Sequence, residues 1–295
     1  MKKIKILIPV YNDWESLKKL LNEINVVIDK IDKIEFHCVV INDASTIDFP
    51  KIEMPSKIAS LEIINIKKNQ GHARCNAFGI RYLSQKEDFD RLILMDGDGE
   101  DRPEEIKLLV EKALIHKNIS IVAKRVKRSE GIFFKSLYEF HKILTLIFTG
   151  KKINFGNYSC LTKNDVKNLA NQKSLWSSFS GSVKHHLPQL ETINSFRGSR
   201  YVGPSKMSFL NLIIHSLAII AVFKKTVFLR SILIVFILWY LEMNSFLPFE
   251  ETLFIISSTI LFIFNFIVFT VSFRENEKEL INSGDNVESS KTYTQ

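Results

Sequence analysis

The segment Asp96-Gly97-Asp98-Gly99-Glu100-Asp101 places four carboxylates in six residues. At that spacing they repel one another unless water solvates them or a cation neutralises them, and hard oxygen ligands suit Mg²⁺ or Mn²⁺. Alternation lets Asp96 and Asp98 point into one site from the end of the apolar run RLILMD, and Gly97 leaves room beside them for a diphosphate. Glu100 could reach the same cation through water, or touch a bound sugar. A cation held there would neutralise charge developing on a departing diphosphate. A bare Asp-x-Asp also arises by chance as a solvated acidic turn, so its setting in the chain has to decide between the two. No GxxxxGK[ST] phosphate loop is present, which argues against an ATPase or kinase.

Short apolar runs recur at residues 4–10, 36–41, 61–66, 92–95 and 119–123, with helical patterns between most of them. This alternation predicts an α/β domain with a largely parallel sheet covered by helices on both faces. Trp14, Leu17, Leu20, Leu21, Ile24 and Ile28 form one helical stripe, with Asn12 or Asp13 available as its cap. A second helix is expected after Pro103, where Glu104 and Glu105 suit the positive end of the dipole. Ligands of open α/β sheets bind beyond the carboxyl ends of the strands. The groups that should converge are therefore Tyr11-Asn12-Asp13, Asn42-Asp43-Ala44-Ser45, Asn69-Gln70-Gly71 and Asp96-Gly97-Asp98.

The 295-residue chain divides by composition. Residues 1–206 mix charged and apolar positions as a water-soluble catalytic domain does, and residues 207–225 suit a juxtamembrane amphipathic helix. Two apolar stretches follow, at 226–249 and 252–273, each long enough for the roughly 30 Å hydrocarbon core. Lys224, Lys225, Arg230 and Arg274 flank the pair, and the loop between carries Glu242, Glu250 and Glu251 without Lys or Arg. The positive-inside rule then puts both flanks and the catalytic head in the cytosol, at the inner membrane in a bacterium. Residues 274–295 are polar and uneven, and disorder is expected there. Residues 132–150 are too polar to cross a bilayer; Phe133, Phe134, Leu137, Phe140 and Leu144 suit either an interfacial helix or one packed on the core. The basic start MKKIKILIPV has too short an apolar stretch for a signal peptide and is expected to be the first strand.

A net charge of +8 raises nucleic acid as a partner, but the basic run at 124–128 and the juxtamembrane lysines fit anionic headgroups or phosphates better, so no nucleic acid is expected. Lys127 and Arg128 are expected to be solvated or to face headgroups. Cys38, Cys75 and Cys160 lack metal-ligand spacing and are expected as buried thiols; His185 and His186 lack spaced partners and are expected in an ordinary loop.

The series ILIPVYND, VVINDAST, NQGHARCNAFGI and LILMDGDGEDRPEEI resembles the inverting family 2 glycosyltransferases of GT-A fold in order and spacing through residues 4–106. The resemblance implies donor contacts from Pro9, Tyr11, Asn12 and Asp43, with Gly71, Arg74, Asp96 and Gly97 in the nucleotide-sugar cradle. It makes Asp98 the metal ligand and gives Asp96 to ribose or metal. Asn42-Asp43 stands where the family more often has two aspartates. Beyond residue 120, AKRVKRSEG, FGNYSCLTKNDVKNL and RYVGPSKMSF are similar to segments of the polyprenyl-phosphate group, which includes dolichol-phosphate mannose synthase and bactoprenol glucosyltransferases.

That resemblance implies transfer of a sugar from a nucleoside diphosphate to a polyprenyl phosphate with inversion. The lipid phosphate is already an anionic nucleophile, so cations to position it matter more than a general base. Arg125, Lys135, Arg200 and Lys206, with Ser205 as a neutral donor, are expected to hold it. A glycan, protein or glycerolipid acceptor is the nearest alternative, and an inactive membrane-bound binding module is one of another class. Only two spans and the absence of Gln-x-x-Arg-Trp argue against a polymer-extruding synthase. The apolar hairpin could also mediate self-association.

Overall fold

A computed structural model of the chain describes residues 2–48, 50, 53–127, 132–203, 208–244 and 251–294, the side chains of 127, 132–135, 137 and 138 excepted. The first half alternates as expected: β1 (Lys3–Val10), α1 (Trp14–Ile28), β2 (Glu35–Asn42), β3 (Ile58–Ile66), α2 (His72–Ser84), β4 (Arg91–Leu94), α3 (Glu105–Ile115) and β5 (Ser120–Lys127). Then come α4 (Ile132–Thr149), β6 (Phe155–Thr162), α5 (Lys163–Leu169), α6 (Phe179–His186), β7 (Leu190–Phe196), α7 (Phe209–Ala221), α8 (Lys224–Met243), α9 (Glu251–Ser272), α10 (Glu277–Ile281) and β8 (Val287–Thr294).

The strands form one sheet in the order β7-β5-β6-β4-β1-β2-β3-β8. The four strands β4-β1-β2-β3 are parallel neighbours, as is the β5–β7 pair. β6 runs antiparallel to both β4 and β5, and β8 antiparallel to β3, so the sheet is mixed rather than uniformly parallel. In β1, Ile4, Ile6 and Ile8 pack under α1 and α3, while Leu7 faces α2; side chains alternate between two buried faces. The whole predicted stripe of α1 is buried. Its cap is not as expected, because neither Asn12 nor Asp13 bonds the first turn through its side chain. Asn12 Oδ1 accepts instead from Thr46 N at 2.8 Å and Ile47 N at 3.1 Å, and Asp13 pairs with Arg200.

Helices α8 and α9, of 20 and 22 residues, are each long enough to cross a bilayer. Their apolar side chains lie outward, with Leu229 65% and Phe262 73% exposed, unlike those of a soluble core helix. Lys224 Nζ lies 2.7 Å from the Glu275 carboxylate, joining the start of α8 to the chain just past α9. Arg230 donates to the Ile147 carbonyl at 2.8 Å, so a cation in α8 satisfies the open C-terminal end of α4. In the segment expected as a juxtamembrane amphipathic helix, Phe209 and Leu210 are exposed, whereas residues 218–223 enter the core. In α4, Phe140 and Ile143 are exposed and Phe148 is buried.

The segment 274–294 corrects the expectation of disorder. Helix α10 buries Leu280, and β8 covers the outer edge of β3, pairing Ser60 with Thr294 through Asn65 with Ser289. Its side chains are mostly exposed, so the polar composition that suggested disorder is what an edge strand on a solvated flank requires. Main-chain pairing holds it, and composition does not report main-chain pairing.

Strand β4 is anchored by Arg91, which is 3% exposed and donates to the carbonyls of Ile119 at 2.8 Å, His116 at 2.7 Å and Lys117 at 2.6 Å. It closes the C-terminal end of α3 and fixes the strand that carries the acidic turn. Arg91→Ala is expected to cost about 3 kcal/mol by leaving these carbonyls unpaired. Thermal unfolding of the purified protein in detergent checks this as a midpoint lower by several degrees.

Candidate active site

The expected loops meet at the carboxyl ends of β1, β2, β3 and β4. Asn12 N donates to Ser45 Oγ at 2.9 Å, tying the first loop to the second. Asp43 accepts from Gln70 N at 2.7 Å and from Gly71 N at 2.9 Å, tying the second to the third. Gly71 has φ +84°, a conformation in which L side chains are strained, and it starts α2. Tyr11 is exposed on this rim. At Gly97 a Cβ would come within 3.1 Å of the Pro9 carbonyl oxygen, so glycine lets the acidic turn lie against the end of β1.

Each carboxylate of the turn has a defined counter-group. Asp96 Oδ1 lies 2.9 Å from His72 Nε2 and accepts from Asn157 Nδ2 at 3.1 Å. Asp98 Oδ2 lies 2.7 Å from Arg200 Nη1, whose other terminal nitrogen reaches Asp13. Glu100 pairs with Arg197. Asp101 is 5% exposed and accepts from Asp96 N at 3.0 Å, closing the turn from beneath. Gly99, at φ +88°, lies under the Tyr201 ring, where a Cβ would collide with ring carbons at 2.5 Å. Residues 197–201 therefore form an arginine loop laid directly on the acidic turn. Glu105 anchors its root by accepting from Ser195 Oγ at 2.6 Å and Phe196 N at 2.8 Å.

The electrostatics separate the carboxylates. Burial opposes ionisation of Asp96, but His72, Arg125 and Arg197 outweigh it and hold this carboxyl well below the usual range. Burial, reinforced by the Asp96 charge, raises Asp98 and pushes Asp101 up to about 7. His72 is raised: burial opposes its charge, and Asp96 with its hydrogen bond prevails.

Arg125 sits against Gly156, where a Cβ would meet its guanidinium, and it acts on Asp96. Arg200 is brought to the acidic turn. Arg74 points elsewhere, over the Trp176 ring at 5.5 Å, and lines a separate cavity. The Lys135 side chain, Ser205 and Lys206 lie outside the described residues, as does Arg128. The cysteines are separate and buried, with Cys38 and Cys160 pushed up to about 12 by burial. His185 and His186 end α6 rather than lie in a loop; His186 Nε2 is 3.0 Å from Ser174 Oγ.

His72, Asn157 and Arg197 complete the site without having been selected from the sequence. Asn157 had a hidden signal. The antiparallel register pairs Leu94 with Ser159, and two residues further it sets Asp96 opposite Asn157. Only knowledge that β6 inserts beside β4 makes that readable.

The family model "Glycosyl transferase family 2" matches residues 5–179, more than half of the chain, which therefore belongs to this family. Undecaprenyl-phosphate 4-deoxy-4-formamido-L-arabinose transferase from Salmonella choleraesuis (strain SC-B67) is 27% identical over 223 residues, 72% of this chain and 65% of that protein. The chain thus spans a little under two thirds of the curated relatives it matches. Among solved structures, glucosyl-3-phosphoglycerate synthase from Mycobacterium tuberculosis, crystallised with Mn²⁺, UDP-glucose and phosphoglyceric acid, superposes with a TM-score of 0.54 at 14% identity, covering 77% of this chain and 80% of that one. S. aureus TarS residues 1–349 with UDP-GlcNAc gives 0.52 at 14% identity over 96% and 91%. These neighbours show the GT-A fold.

Asn157→Leu removes one of the two groups that orient Asp96. A hydrogen bond to a charged group contributes about 1.5–3 kcal/mol, so kcat/KM for the donor should fall about ten- to hundredfold with the fold intact. Steady-state kinetics with circular dichroism of the same sample checks it; unchanged kinetics would remove Asn157 from the site.

Proposed function

We propose that this chain transfers a sugar from a nucleoside-diphosphate sugar to a polyprenyl phosphate at the cytoplasmic face of a membrane, with inversion at the anomeric carbon. The observation that carries the proposal is the contact of Arg200 with Asp98, which puts a phosphate-binding side chain, from the loop leading to α7 and the hairpin, at the edge of the acidic turn. The undecaprenyl-phosphate transferase similarity supports the same acceptor class.

The donor set fits a divalent cation. Asp96 and Asp98 offer hard oxygens, and the mutual charge that raises Asp98 is what a cation relieves. Among the described residues no three His, Cys, Asp or Glu side chains converge into a closed cage. Asp96 and Asp98 would hold Mg²⁺ or Mn²⁺, with Glu100 nearby and further ligands from diphosphate and water. The bound cation supplies Lewis-acid stabilisation of the departing diphosphate.

The protein's own groups do the rest. Asn12 and Asp43 hold the loops of the nucleoside cradle in register with the turn. His72 and Asn157 keep Asp96 ionised and oriented. Arg200, with Arg125 on the other flank, positions an acceptor phosphate whose oxygen attacks the anomeric carbon as the nucleotide oxygen leaves. The phosphate oxygen is already deprotonated at neutral pH, so no side chain need remove a proton.

Radiolabelled nucleotide sugars, Mn²⁺ and a short-chain polyprenyl phosphate test the transfer. Label should enter the lipid phase with one donor, and Asp98→Ala should lower it by about two orders of magnitude or more. No label in lipid with any donor would sink lipid transfer, and donor hydrolysis alone would keep the enzyme while replacing its acceptor.

Sidedness has its own support. β8 follows α9 and pairs with β3 of the head, so both ends of the hairpin lie on the head's side of any bilayer that α8 and α9 span. With the basic flanks, that side is the cytosol. In intact cells a membrane-impermeant maleimide should label Asn244→Cys at the hairpin tip and reach Ser290→Cys only after permeabilisation; the reverse pattern would invert the topology.

A further inference from the structure

The docked C-terminal segment does more than cover a sheet edge. Between it and the head lies a cavity of about 560 Å³, within the size range of small-molecule sites. Phe78 and Trp176 contribute its apolar wall. The charged groups lining it are Lys67, Lys68 and Arg74 from the head, and Lys278, Glu279 and Asp285 from the tail. Trp176 Nε1 donates to Glu279 at 2.7 Å and Lys67 Nζ to the Asp285 carbonyl at 2.9 Å, so the walls are fastened to each other. Among the described residues Lys68, Arg74 and Lys278 have no carboxylate within ion-pair distance, and Arg74 lies over the Trp176 ring.

Four lining cations against two carboxylates leave an excess of two positive charges. A phosphate monoester, at about −1.5 to −2, balances that excess, whereas a single carboxylate leaves half of it. Ammonium and guanidinium groups are the donors that phosphate oxygens take. None of Tyr11, Asp43, Asp96 or Asp98 lines the cavity, so it is separate from the donor site. It adjoins that site through Gln70, whose main-chain N–H holds the Asp43 carboxylate.

We propose that this cavity binds a phosphate-bearing anion, clamped between the head and the C-terminal segment just past the second membrane helix. The same chemistry comes from a soluble phosphate or from a phospholipid whose headgroup is a phosphate monoester, at the base of the hairpin.

The test uses the full-length protein in nanodiscs with EDTA and without donor or acceptor, so its failure would leave the glycosyl-transfer reading untouched. Trp176 reports from the cavity wall. In phosphatidylcholine nanodiscs, inorganic phosphate should change the tryptophan fluorescence saturably beyond the effect of chloride at equal ionic strength, and Trp176→Phe should lose the change. Lys68→Gln combined with Lys278→Gln should weaken half-saturation about tenfold or more. Neither lysine has a carboxylate partner, and an unchanged melting curve confirms that the variant folds. In nanodiscs containing phosphatidate, whose headgroup is a phosphate monoester, loss of the phosphate response in the unmodified protein identifies the lipid headgroup as the occupant; its persistence identifies a soluble phosphate. No saturable response in phosphatidylcholine, or the same half-saturation in the double variant, overturns the proposal.

Discussion

Four carboxylates gathered at the end of a buried central strand cannot all ionise without compensation, and the arrangement of the head follows from how that charge is met. β4 emerges between β1 and β6, so the turn after Leu94 has protein on both sides. His72 from the start of α2 and Asn157 from β6 attend to Asp96, while Arg197 and Arg200 from the loop after β7 attend to Glu100 and Asp98. The counter-groups come from elements up to a hundred residues away in sequence. Placing them together requires the antiparallel insertion of β6 and the return of β7 beside β5. The separation of Asp96, held ionised, from Asp98 and Asp101, both raised, expresses the same constraint.

The arginine loop connects this electrostatics to the C-terminal helical hairpin. Its root is fixed by buried Glu105 and its tip lies on Gly99 through Tyr201. Arg200 spans Asp98 and Asp13, so the acidic turn and the first loop share one guanidinium. Beyond the loop the chain enters α7, whose end is buried in the core, and then the hairpin. Arg230 against the end of α4 fastens that hairpin to the head, and Lys224 against Glu275 joins the hairpin's two ends.

Much of this was legible from residue types and spacing. The five apolar runs became strands, the α1 stripe became a buried face, and both apolar stretches became long outward-facing helices. Each follows from a local period meeting one environment. Expectations failed where a side chain had competing partners: Asn12 and Asp13 had the chemistry of caps but were drawn to Thr46 and Arg200. The Trp176 ring over which Arg74 lies is a partner that no local window contains. The tail failed for the opposite reason, since a strand held at an exposed edge by its main chain has no hydrophobic signature.

The acidic turn, its place at the end of a buried strand, the series of loops that meets it and the two long apolar helices were legible in the sequence alone, because each rests on residues close together in the chain. The partner of each carboxylate, the glycine contact at Pro9, the closing of the sheet by β8 and the cavity beneath it were decided only by the tertiary structure. Coulombic pairing, close packing and main-chain hydrogen bonding act through space, and the residues they join here are separated by tens to hundreds of positions along the chain.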